Sequence, residues 1–131
     1  MSVELRASQA LGLLHDFTFD LVRDRAPDLS LRQLAVLLTV YLESPPHTVR
    51  GLAALLRISK PAVTRALDRL GMLGLAKRRR DEQDRRSVLV QRTVRGSVFL
   101  SDFAEQVAAA SRRLEQQQRA GGLPYERSIA H

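Results

Sequence analysis

"SKPAVTRALDRLGMLGLAKRRRDEQDRRSVLVQRT", Ser59 to Thr93, sets two kinds of chemistry side by side. Its first part has helical spacing. On a 3.6-residue wheel Val63, Ala66, Leu67 and Leu70 gather on one stripe about 100° wide, and Lys60, Thr64, Arg65, Asp68 and Arg69 fall opposite. Ser59 supplies an N-cap oxygen, and Pro61 is tolerated in a first turn, where its missing N–H has no helical partner. The pattern predicts a helix ending near Gly71 to Gly74. Leu75 to Arg80 and Ser87 to Arg92 then read as two strands joined by the polar tip Asp81 to Asp84. Six of the ten residues from Lys77 to Arg86 are Lys or Arg.

Upstream, about Glu4 to Arg25 reads as a helix, with Leu11, Leu14, Phe17, Leu21 and Val22 recurring at spacings of three and four until Pro27 breaks it. Ser30 with Gln33 makes a capping-box pattern. The helix it opens runs to about Leu42 on a stripe of Leu34, Leu37, Leu38 and Tyr41, and Ser44 to His47 stops it. Thr48 caps a short helix carrying Leu52, Leu55 and Leu56. Downstream, Thr93 caps a long helix, roughly Val94 to Arg119, which Gly121 and Gly122 end. Two short helices meeting at a tight turn, then a two-stranded ribbon, describe a winged helix-turn-helix. The expected fold is mostly α with a small β-hairpin. It divides into an N-terminal dimerisation helix (1–28), a winged helix-turn-helix DNA-binding domain (29–93, wing about 75–92), a C-terminal dimerisation helix (94–120) and a flexible tail (121–131).

The 131 residues suit one domain, and an apolar fraction of 44% argues for a folded chain. Net charge is +7, and its distribution is uneven. Arg50 to Arg95 contains 13 Lys or Arg and 4 Asp or Glu, so the whole excess lies there. A concentrated basic patch on a folded domain suggests a polyanionic partner, whereas a solvated surface is its ordinary alternative. Cysteine is absent, which removes disulfides and thiol-based sensing and fits a cytoplasmic, nucleoid-associated location. The N-terminus has no signal-peptide pattern, and no uncharged run reaches the roughly 20 residues needed to span a bilayer, so no membrane partner is expected. His15, His47 and His131 are scattered with no carboxylate at ligand or triad spacing, and there is no glycine-rich phosphate loop. No enzyme activity, metal or cofactor is expected.

The helix after Ser59 has the layout a groove-reading helix needs. One face packs inward, and the other offers Arg, Lys and Thr donors to base edges. An ordinary amphipathic surface helix would share that layout. The ribbon separates the two. Arg78, Arg79, Arg80, Arg85 and Arg86 together repel one another unless phosphates neutralise them. An exposed ribbon can lower an Arg into the narrow minor groove, with Asp84 holding that Arg in a pre-aimed pose. A winged-helix protein-interaction adaptor without sequence-specific DNA contact is the alternative of a different class.

Ile58 to Gly96 resembles the helix and wing of MarR-type transcriptional regulators. The family pattern is a Ser-capped helix with T-R-x-L-D-R-L, a Gly, a strand, a wing with D-[RK]-R, and a strand ending in L-T-x-x-G. The matching residues are Thr64, Arg65, Leu67, Asp68, Arg69, Leu70, Gly74, Asp84, Arg85, Arg86, Thr93 and Gly96. The resemblance covers roughly residues 30 to 100. It implies a homodimeric regulator of double-stranded DNA, more often a repressor than an activator. Carried onto this chain, it places groove contacts at Ser59, Lys60, Pro61, Thr64 and Arg65, and Arg69 on a phosphate or an acid. On the wing it puts Arg86 in the minor groove, with Asp84 orienting it, Arg85 on phosphate, and Arg79 and Arg80 beside them. It also implies a small aromatic or anionic effector in a crevice beside the dimer helices. Phe17, Phe19, Tyr41 and Phe103 could line such a space, and they fit plain core equally. Two departures stand out. Arg92 replaces the family's Leu before the final Thr, which leaves the wing base more exposed or more basic. Only eleven residues follow the long helix, where the family usually has a further dimer helix.

In the long helix Leu100, Phe103, Val107, Ala110 and Leu114 follow a 3-4-3-4 seam. Joined by Leu11, Leu14, Phe17 and Leu21, it predicts a helical dimer core, although the same stripe could pack on the first helix of its own chain. A two-fold dimer would set its reading helices about 34 Å apart on a pseudo-palindromic site.

Overall fold

The structure, a computed structural model, describes residues 5–120. The expected tail (121–131) and Glu4 lie outside the described residues. The elements run α1 (Ala7–Arg23), α2 (Leu31–Leu42), β1 (His47–Thr48), α3 (Val49–Leu56), α4 (Lys60–Met72), β2 (Ala76–Arg80), β3 (Val88–Arg92) and α5 (Val94–Arg119). They form a winged helix with a small antiparallel sheet, divided into two compact units. Among the described residues, no helix is long and apolar enough to cross a membrane.

Local chemistry sets the helix ends. The Ser30 hydroxyl accepts from the Gln33 amide at 3.1 Å, and the Gln33 side chain accepts from the Ser30 amide at 2.9 Å. Thr48 caps α3 through the Gly51 amide, and Ser59 caps α4 through that of Ala62. Three helices stop in Schellman-type closures, in which a left-handed residue lets following amides reach back to the last carbonyls. Gly74, at φ 73°, closes α4, with the Leu75 amide on the Leu70 carbonyl at 2.9 Å. Arg57 (φ 55°) and Arg25 (φ 57°) do the same for α3 and α1 without being glycine. The helix α1 therefore ends at Arg23, two residues before the expected limit, because the chain turns ahead of Pro27.

The first unit, Leu29–Leu100, holds the hydrophobic core. Val36, Leu37 and Val40 of α2 meet Leu52 and Ala53 of α3, Val63, Ala66, Leu67 and Leu70 of α4, and Leu75, Ala76 and Val90 of the sheet. The α2 stripe is rotated from its expected position. Leu34, Leu38 and Tyr41 are only half-buried, and Leu55 of α3 faces solvent. The sheet order is β1-β3-β2, with His47 opposite Val90 and Arg78 also opposite Val90 on the other side. Strand β1 is absent from the sequence reading because two residues carry no periodicity.

A polar knot ties the sheet's root to α2. The Tyr41 hydroxyl donates to the Leu75 carbonyl at 2.8 Å and accepts the Thr93 amide at 2.9 Å. The Thr93 hydroxyl donates to the Gly74 carbonyl and caps α5 through the Gly96 amide. A Cβ on Gly96 would overlap both the Tyr41 hydroxyl and the Leu75 carbonyl, so only glycine fits there. Arg92 is not simply an exposed charge at the wing base. Its Nε donates to the Val40 carbonyl at 2.8 Å and its Nη2 to the Glu43 carbonyl at 3.1 Å. Its guanidinium also lies 5.7 Å from the centre of the Tyr41 ring.

The second unit pairs α1 with α5 from Ser101 onward. Phe17 meets Phe103 edge to face at 4.8 Å between ring centres. Arg113 bridges Asp16 and Asp20, each at 2.6 Å. Against the cost of burial, the Asp16 hydrogen bond, followed by that of Asp20, raises the Arg113 pKa above its ordinary value. Within the single chain, most residues of the expected dimer seam already have partners. Ala110 and Leu114 are 1% and 5% exposed within the single chain, so they are core residues of this unit, and Leu100 packs on the winged-helix core. Phe103 faces Phe17, and Val107 is half-buried. The apolar residues left uncovered are on α1, where Leu11 is 46% exposed, Leu14 56% and Val22 74%. Leu21 is half-buried. Phe19 is half exposed, against His15 and beneath the Arg23 guanidinium.

Candidate nucleic-acid interface

Helix α4 is divided by burial. Ala62, Val63, Ala66, Leu67 and Leu70 are buried, while Ser59, Lys60, Pro61 and Arg65 are exposed, and Thr64 and Arg69 are half-buried. At the N-terminal end of α4 the helix dipole favours an anion, although Pro61 has no N–H and the Ser59 hydroxyl takes that of Ala62. Arg57 holds the turn before it in a left-handed pose, and the Ile58 amide closes on the Ala53 carbonyl at 3.1 Å.

The ribbon register gives its cations two faces. Arg78 pairs with Val90 and Arg80 with Val88, on the side that carries the buried Ala76 and Val90. Lys77 and Arg79, opposite Gln91 and Leu89, point the other way because strand side chains alternate. Arg78 Nη2 binds Asp68 Oδ1 at 2.5 Å, linking the ribbon to α4. Arg79 approaches Glu82 at 3.5 Å. Among the described residues, Lys60, Arg65, Arg80, Arg85 and Arg86 have no acidic partner.

The tip is a shaped turn. Asp81 Oδ1 accepts the Gln83 amide at 3.0 Å. Asp84 Oδ1 accepts the Arg86 amide at 3.1 Å, and its Oδ2 accepts the Ser87 hydroxyl at 3.2 Å. The contacts of Asp84 therefore go to the Arg86 backbone and not to its guanidinium. A short carboxylate reaches the amide two residues on more readily than a long side chain swinging free. Asp84 fixes the backbone from which Arg85 and Arg86 project.

These parts converge on a cleft of about 320 Å³ between the ribbon and the helix pair, lined by Thr48, Arg50, Lys60, Thr64, Arg78 and Arg86 among others. Four of those side chains are cations. Arg79, Arg80, Glu82 and Arg85 line a separate recess at the tip. The structure thus brings Lys60, Thr64 and Arg86 together, places Arg79, Arg80 and Arg85 apart from them, and leaves Ser59, Pro61, Arg65 and Arg69 outside both linings. Sequence reasoning missed Arg50 and counted Arg78 only among the mutually repelling wing cations. Arg50 lies in the first turn of α3, two residues after its cap, but its place in the cleft is a tertiary juxtaposition without a local signal. Among the described residues, no group of three or more His, Asp or Glu side chains is placed to hold a metal ion.

The MarR family model matches residues 29–88, from the start of the α2 cap to the second wing strand. The winged-helix fold agrees with that match, and over these residues the chain is similar to MarR-type regulators. The transcriptional repressor CouR, solved on a 23-mer DNA duplex, is 28% identical, with a TM-score of 0.64 over 93% of this chain and 87% of that one. CouR from Rhodococcus jostii RHA1, solved with p-coumaroyl-CoA, is also 28% identical, with a TM-score of 0.57 over 77% of this chain and 68% of that one. RV1404 from Mycobacterium tuberculosis shares the fold at 24% identity, with a TM-score of 0.67 over 92% and 82% of the two chains. No curated protein matches the chain.

Proposed function

We propose that this MarR-type protein is a homodimeric repressor of transcription that binds a pseudo-palindromic double-stranded DNA operator, without catalysis, in the cytoplasm on the nucleoid. The observation that carries the reading is the meeting of Arg50, Lys60, Thr64, Arg78 and Arg86 in one cleft between reading helix and wing. A duplex lying along it would put base edges against the exposed side of α4 through Ser59, Lys60, Pro61, Thr64 and Arg65. Phosphates would meet Arg50, Arg69, Arg78 and Arg85, and Arg86 would enter the minor groove beyond. Arg79 and Arg80 would extend the cationic surface along the backbone. The DNA-bound CouR structure supports this use of the fold.

Dimerisation is assigned to α1. The exposed Leu11, Leu14 and Val22 form an apolar stripe that a second copy would cover, with Leu21 at its margin. A small anionic aromatic effector that relieves repression is the remaining part of the proposal, supported by the p-coumaroyl-CoA complex of CouR.

The test is a titration of the purified protein against mixed-sequence duplex across salt concentrations. The expected result is micromolar or tighter binding that falls steeply with salt, with a log–log slope close to minus the number of phosphates neutralised. A protein-interaction adaptor would show weak binding and a flat slope.

A further inference from the structure

A wing that reads a groove must be held at a fixed angle to the reading helix. The ribbon projects from its root at Ala76 and Arg92 to a tip at Arg86. At about 3.3 Å per residue the four strand steps from Arg92 to Val88 span roughly 13 Å and Arg86 lies in the turn beyond, so a tilt of about 10° at the root would move it by at least about 2–3 Å. That displacement exceeds what a hydrogen bond tolerates. Whatever fixes the root therefore governs the tip.

Besides the β1 pairing along β3 and the Arg78–Asp68 bridge, the root is tied to the C-terminal turn of α2. Tyr41 holds Leu75 on the way into the ribbon and Thr93 on the way out. Arg92 adds a fork with no counterpart elsewhere in the sheet. Its Nε and Nη2 donate to the Val40 and Glu43 carbonyls at the end of α2, the second of which also lies 3.1 Å from His47 Nε2, and its face covers the Tyr41 ring. A cation at a helix C-terminus also meets the favourable end of the dipole. A leucine in this position would make neither hydrogen bond.

We propose that Arg92 is a positioning residue for DNA recognition, clamping the wing to the end of α2 so that Arg86 is presented at a set angle. The assignment rests on the DNA-binding reading for its functional consequence and on the α2 contacts alone for its mechanical one.

Two measurements test it. The chain has no cysteine, so spin labels on Arg32→Cys and Gln83→Cys report the distance from α2 to the wing tip in the full chain without DNA. A narrow distribution is expected, broadening or shifting with Arg92→Leu. An unchanged distribution overturns the clamp whether or not DNA binds. The second measurement is a double-mutant cycle on a duplex selected by the wild-type protein. Arg92→Leu should weaken binding about fivefold or more, the lower end of what one groove-reading arginine supplies, and leave the salt slope unaltered. In an Arg86→Ala background the same substitution should change affinity less than twofold. An equal loss in both backgrounds, or a slope reduced by about one, would overturn the proposal, the latter by making Arg92 a direct phosphate contact. If wild-type protein bound no duplex, the DNA-binding reading would fall while the distance measurement still judged the clamp.

Discussion

Tyr41→Phe removes one oxygen from the winged-helix unit and is expected to cost far more than a surface change. That oxygen accepts the Thr93 amide at 2.9 Å and donates to the Leu75 carbonyl at 2.8 Å. Phenylalanine leaves both groups in place with nothing to replace the hydroxyl. Leu75 is buried and Thr93 half-buried, and the packing that excludes a Cβ at Gly96 leaves little room for water. An orphaned buried polar group costs about 1–3 kcal/mol, and partial solvent access at Thr93 lowers its share, so the expected loss is about 2–4 kcal/mol. At about 4–8 °C per kcal/mol for a unit of this size, the melting temperature should fall by roughly 10 °C or more. Thermal and urea unfolding followed by far-ultraviolet circular dichroism measures it directly. A loss below about 0.5 kcal/mol, the range of an ordinary surface substitution, would mean the knot does not hold the ribbon's root.

Arg57→Gly should stabilise the fold by about 1 kcal/mol, since Arg57 sits at φ 55° where a Cβ is strained, and the urea midpoint should rise accordingly. Leu14→Glu on the exposed α1 stripe should convert dimer to folded monomer in light scattering. Leu114→Glu should instead unfold the helical pair, because Leu114 is enclosed by its own chain. Arg86→Ala should weaken operator binding by about 1–3 kcal/mol with the fold intact. Asp84→Ala should weaken it too, by releasing the turn that presents Arg86.

The sequence discloses most where a local rule acts alone. Ser30, Thr48 and Ser59 cap the helices that their side chains announce, and the two-faced pattern of Lys60 to Leu70 matches the burial of α4. The alternation around Val90 marks the ribbon, though not its third strand, since His47 and Thr48 pair with β3 only because the Pro45-Pro46 turn brings them there. The remaining differences arise from tertiary contact. A heptad spacing cannot say which helix it faces, so Ala110 and Leu114 read equally well as a dimer seam and as the partner of α1. Arg92 looks like surplus charge until the Val40 and Glu43 carbonyls are beside it. Arg50 joins the cleft through the packing of α3 against the ribbon, which no spacing records.

The central claim, a two-fold protein reading two half-sites with helix and wing, is tested most directly by selecting bound duplexes from a random pool. The account predicts an inverted repeat with half-site centres about 10 base pairs apart, one helical turn. Recovery of no enriched sequence, or of a single unpaired half-site, would contradict it.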